Sequence, residues 1–230
     1  MRSLLWKDYR INRLLLIFGL VVCVGPWIIA IARYFQLTIR GEGVWWGPEP
    51  WVSTSSISLG LSMFTFAMLG GNAIAAERAD RSAEFLAYLP VSRWSILAGK
   101  SLIALTPAVA IWMVNLAFLF WVAPRLAEGV SAAEMVRRPE VHEFFDVFGP
   151  VSVLLFGAGW FWSAVLHSHG LATGMSFFTL AVVVFGMIGI EYGLGVDGFF
   201  TNQSLAIVFL IAGIGGYVAG CLTYVHRLEP

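Results

Sequence analysis

Asp, Glu, Lys and Arg are absent from residues 14–32, 55–76, 101–123, 147–190 and 198–226, and every such charge lies in the segments between those runs. A helix of about 20 apolar residues crosses a hydrocarbon core of roughly 30 Å. A charge at the bilayer centre costs ~2.5–3.5 kcal/mol on insertion scales, so runs this clean match what a membrane selects. The first three runs each fit one crossing. The fourth is too long for one: at ~1.5 Å per residue a single helix would be about twice the bilayer thickness. It folds back, and His167-Ser168-His169-Gly170 is the natural turn. The pattern predicts an all-α, polytopic membrane protein with six spans, at about 14–32, 55–76, 101–122, 147–166, 170–190 and 204–224.

Composition narrows the class. Hydrophobic residues make up 59% and charged residues 12% of the chain, against roughly 25% charged in an average soluble domain. Too little polar material remains to cover a soluble core. The net charge is zero, which argues against nucleic acid as a partner and leaves membrane lipid as the surrounding medium. Cys23 and Cys221 both fall inside predicted spans and read as buried small side chains rather than a disulfide.

Six spans put both chain ends on one side, together with 77–100 and the 167–170 turn. That side holds nine Lys and Arg: Arg2, Lys7, Arg10, Arg13, Arg78, Arg81, Arg93, Lys100 and Arg227. The other side holds five: Arg33, Arg40, Arg125, Arg137 and Arg138. The positive-inside rule then predicts cytoplasmic termini in a cell membrane. Trp45, Trp46, Trp51 and Trp121 fall where aromatic belts anchor spans.

The segments between spans carry patterns of their own. In 1–13, Leu4, Leu5, Trp6 and Tyr9 interleave with Arg2, Lys7, Arg10 and Arg13, which predicts a short interfacial elbow helix. In 77–100, Ser82 stands where it would cap a helix with Glu84 in its first turn. Phe85, Leu86 and Leu89 then share a face, and Pro90 ends the helix. That apolar face needs either a partner surface or a place beneath the bundle. The outer loop, 123–146, has helical spacing broken by Pro139 and predicts a solvated surface helix. Polar and small residues inside the spans point to helix contacts or an aqueous path. They are Asn72 and Asn115, and the Gly213, Gly216 and Gly220 face of the last span.

Candidate chemistry is sparse. Ala98-Gly99-Lys100-Ser101 resembles the end of a phosphate-binding loop, but that motif needs Gly at position 94, where this chain has Trp94. Ser62 would need a base such as His to act as a nucleophile, and no His lies in a span core. His142 with Glu140 and Glu143 is a weak metal pattern. The sequence therefore predicts neither an enzyme nor a cofactor in this chain; ATP, if used, is handled by another subunit.

The stretch 71–100, GNAIAAERADRSAEFLAYLPVSRWSILAGK, resembles the membrane subunits of type-2 ABC exporters. The matching positions are Glu77, Arg78, Glu84, Leu86, Leu89, Pro90, Val91, Ser92, Arg93 and Lys100, and MRSLLWKDYRINRLLL is similar to the family's elbow. The resemblance implies a coupling helix within 77–100, with Glu77, Arg78, Arg81, Glu84, Phe85, Leu86, Leu89, Pro90 and Arg93 at the interface with a separate cytoplasmic ATP-binding subunit. It also implies a second permease, identical or related, and ATP-driven export of an unspecified substrate. A non-transporting membrane scaffold or assembly component with a permease-derived fold is the alternative. Against the family's usual short connection, 123–146 is long.

Overall fold

A computed structural model describes residues 2–41, 48–76, 92–127, 131–195 and 200–226. Among them there are helices and no strands: α1 (Arg2–Ile39), α2 (Glu49–Asn72), α3 (Arg93–Ala117), α4 (Ala123–Leu126), α5 (Ala132–Val136), α6 (Pro139–Val165), α7 (His169–Leu194) and α8 (Asn202–His226). A π-helical turn, Phe118–Val122, joins α3 to α4. Six of these helical stretches are long and apolar enough to cross a membrane: those of α1, α2, α3 with its extension, α6, α7 and α8. The chain is thus a multi-pass membrane protein, as the charge-free runs require.

Local chemistry sets the helix ends. Ser92 caps α3 by accepting from the Ser95 amide, and Ser168 caps α7 by accepting from that of Leu171; each satisfies one orphan donor. Leu166–Ser168 is the whole connection between α6 and α7, at the predicted turn. Gly195 ends α7 with φ +64°, where a side chain would be strained, and its N–H reaches the carbonyls of Glu191 and Tyr192. The π turn precedes Pro124, which has no N–H to continue the ladder and would crowd the carbonyl four residues back; a wider turn relieves both.

Packing is uneven around the bundle. The most apolar windows of α2 and α6 are 61% and 56% buried, against 17–28% for the other four spans. So α2 and α6 form the centre, and the rest present most of their surface outward, where lipid covers it. Three apolar layers stack along the axis. Leu15, Leu69, Leu97, Trp160 and Tyr224 pack at the end that holds both chain termini. Cys23, Leu59, Phe66, Ile111 and Leu155 pack at mid-depth, and Trp27, Trp51, Leu119, Met135 and Val141 at the far end.

Three expectations change. The elbow does not stand as a separate helix, because α1 runs unbroken from Arg2 to Ile39; no Gly or Pro precedes Gly19 to interrupt it. Trp51 is not a belt residue. It is fully buried and stacked on Trp27 with ring centroids 6.5 Å apart. The run 131–146 does break before Pro139, but the part from Pro139 on is the first turn of the spanning α6 rather than a loop helix, and there the missing N–H costs nothing. The segment before it is a short α5 closed by a Ser131/Glu134 capping box. The Ser131 amide, then its hydroxyl, hold the Glu134 carboxyl below its usual range. Met135, Val141 and Phe144 are buried while Glu134, Arg137, Glu140 and His142 are exposed, so the segment covers the far layer with its apolar face and keeps its charged face outward as the spacing predicts. Trp121, by contrast, stays exposed.

Candidate functional site

At the end of the bundle that holds the termini, α3 begins beside the ends of two other helices. Lys100 is 3% exposed, and its Nζ donates to the Ala73 carbonyl at 3.2 Å. Ala73 is the C-cap of α2, where the last carbonyls lack intrahelical partners and the helix dipole is negative. Two turns earlier, Arg93 Nη1 donates to the Val225 carbonyl in the last turn of α8 at 3.0 Å. Asn72 Nδ2 donates to Asn12 Oδ1 of α1 at 2.6 Å. Four helices therefore meet through polar groups at the root of the segment 77–91. Of the positions that the family resemblance marks there, Glu77, Arg78, Arg81, Glu84, Phe85, Leu86, Leu89 and Pro90 lie outside the described residues.

Toward the far end, Asn115 of α3 forms a second polar hub, 1% exposed. Its Oδ1 accepts from Trp27 Nε1 at 3.2 Å and from Ser55 Oγ at 3.1 Å. Its Nδ2 donates to Ser58 Oγ at 2.8 Å and lies 3.4 Å from Cys23 Sγ. Ser58 in turn donates to the Cys23 carbonyl, and the Cys23 thiol points to the Ile111 carbonyl at 3.6 Å. The hub joins α1, α2 and α3 at a depth without water, where an unpaired polar group costs most. Sequence reasoning singled out Asn115 but not its partners. Their signal was readable: Ser55, Ser58, Ser62 and Thr65 recur at three- and four-residue spacing along α2, and all are buried. Ser62 donates to the Ser58 carbonyl, four residues back, at 2.8 Å.

The glycine face of α8 lies against α6. A Cβ on Gly213 would come within 2.5 Å of the Val153 carbonyl oxygen, and one on Gly220 within 3.0 Å of Phe161 Cα. One on Gly157 would collide with the Gly213 carbonyl. Gly216, Gly213 and Gly220 thus serve close helix approach within one chain. Gly70 does the same for α2 against Phe156. Beside this seam, α3, α6 and α8 enclose an apolar groove of about 370 Å³, with Trp112, Ser152, Phe156 and Tyr217 among its walls. Tyr217 donates to Ser101 Oγ at 2.7 Å across it, tying α8 to α3. A cavity of about 440 Å³ at the far end, lined by Glu49, Ser53, Arg138 and Glu140, joins the starts of α2 and α6.

No group of three or more potential metal ligands occurs among the described residues. Compared with known proteins, the chain matches no family model, no curated protein and no solved structure.

Proposed function

We propose that this chain is the permease subunit of an ATP-binding-cassette exporter of type 2, worked by a separate cytoplasmic ATP-binding subunit and paired with a second permease. The observation that carries this reading is the segment 71–100. Its E-x-L-x-x-L-P-V-S-R-like run and closing Lys100 resemble the family's coupling region, and its two roots are held by polar contacts between α2, α3 and α8. The start of α1 and the end of α8 share that end of the bundle with the described roots of the segment, and the sequence assigns nine of its fourteen lysines and arginines to that side, which supports a cytoplasmic orientation. A push on 77–91 would reach α2 and α3 together. ATP would close the paired ATPases, and the spans would open a path between permeases for a substrate whose chemistry is left open.

The test is the Phe85→Ala, Leu86→Ala double variant, co-purified with the ATPase subunit. Each side chain, if fully buried at that interface, contributes ~1.5–3 kcal/mol. Assembly and stimulated ATP hydrolysis should fall while membrane insertion stays unchanged. Unchanged assembly and transport would place this helix beneath the bundle and remove the coupling assignment.

A non-transporting scaffold is the second reading. The inward use of every polar group of Asn115 favours it, because that amide lines no aqueous path within one chain. The two readings part on whether ATP alters the exposure of the spans.

A further inference from the structure

We infer that Lys100 is a positioning residue: its ammonium fixes the end of α2 against the start of α3, and so sets the spacing of the two roots of segment 77–91. A long cationic side chain at 3% exposure is costly to bury. A methionine or leucine would fill the same volume without that cost, so packing alone gives no reason for the charge. One reason lies in what Nζ meets. Ala73 ends α2, its carbonyl accepts from Nζ at 3.2 Å, and a cation at a helix C-terminus is held by the dipole as well as by the bond.

Arg93 makes a parallel contact. It precedes Lys100 by seven residues, two helical turns, so both cations lie on nearly the same face of α3. Each donates to a backbone carbonyl at the end of a different helix, Lys100 to α2 and Arg93 to α8. The start of α3 is therefore a two-cation clasp on backbone carbonyls near the ends of two other helices. In the transporter reading above, on which this last step rests, the clasp transmits displacement of 77–91 to α2 and α3 as one body.

The experiment uses the full chain in lipid nanodiscs and hydrogen exchange of residues 68–76, at the end of α2. Lys100→Met should make exchange there roughly 5–30-fold faster, the factor expected when one charge-assisted bond leaves a local opening equilibrium. Exchange in the interiors of α6 and α7 should not change, and Lys100→Arg should restore most of the protection. Unchanged exchange in Lys100→Met overturns the inference, as does a rise spread over all six spans. If Lys100→Met fails to insert, Lys100→Gln, which keeps a neutral N–H donor but removes the charge, carries the test: exchange there should rise by a smaller factor, and unchanged exchange again overturns the inference. With the ATPase subunit present, Lys100→Met should lower stimulated hydrolysis at unchanged assembly. A wild-type chain that binds no ATPase, with the exchange result intact, removes the transporter reading and leaves the clasp.

Discussion

Asn115 shows how much a single buried amide does in a bundle without water. Its oxygen accepts two hydrogen bonds and its nitrogen donates to Ser58, so Trp27, Ser55 and Ser58 all depend on it. Interhelical hydrogen bonds in membranes average only ~0.6 kcal/mol each, because the unfolded chain finds other partners. Orphaning several buried groups at once costs more, ~1–3 kcal/mol. Asn115→Leu should therefore lower the thermal stability of the purified protein by an amount in that range, and Ser62→Ala by much less, since Ser62 bonds within its own helix. Equal shifts for the two variants would show that the hub adds nothing beyond packing. The amide itself was legible as a polar residue in a charge-free run, and the serine spacing of α2 was readable beside it. Cys23 and Trp27 were not legible as its partners, because they lie some ninety residues away in the chain and look like ordinary apolar positions. Trp51 misled for a related reason. A tryptophan near a span end satisfies the belt pattern, and only the arrival of Trp27 and Tyr34 beside it makes it core.

At the scale of the helix, absence of charge is a strong signal for existence and a weak one for length. The six predicted spans correspond to six observed helices, yet α1 runs on at both ends and α2 begins at Glu49 rather than Ser55. Charged and amphipathic residues are good helix formers outside the hydrocarbon, so nothing in them marks where lipid ends. The π turn was not legible either, although Pro124 is its cause and stands in the sequence. Glycine spacing, in contrast, carried real information. Gly213, Gly216 and Gly220 recur at three and four residues, which puts them on one face, and that face meets α6. Gly215 shares the helix, but a methyl group added there would have nothing within 4 Å. Gly213→Ala should force α6 and α8 apart and cost ~1–3 kcal/mol, the range for overpacking. Gly215→Ala should be neutral or slightly stabilising, because alanine favours the helix. The pair is measured by thermal unfolding of the two variants side by side. A Gly213→Ala protein as stable as Gly215→Ala would mean that the α6–α8 seam tolerates a methyl group and that small residues there are incidental.

For the whole molecule, the geometry constrains the topology that charge alone proposes. Asn72 bonds Asn12, Lys100 bonds Ala73 and Arg93 bonds Val225. These contacts put the start of α1, the end of α2, the start of α3 and the end of α8 at one end of the bundle, so the chain enters and leaves on the same side. Trp27, Trp51, Leu119 and Met135 close the opposite end. Which end faces the cytoplasm is a matter of lysine and arginine counts, nine against five, because cationic flanks resist translocation while carboxylates contribute little. Single cysteines placed in a background of Cys23→Ser and Cys221→Ser test it, provided that background still inserts. An impermeant maleimide added to intact cells should label Ala133→Cys in α5, which is exposed on the far end, and should leave Ala98→Cys near the start of α3 unlabelled until the membrane is opened. Labelling of Ala98→Cys alone from outside would invert the chain. The segment 77–91 would then face away from any cytoplasmic ATPase, and the transporter proposal would fall with it, while the clasp at Lys100 and the hub at Asn115, which depend only on contacts between helices, would stand.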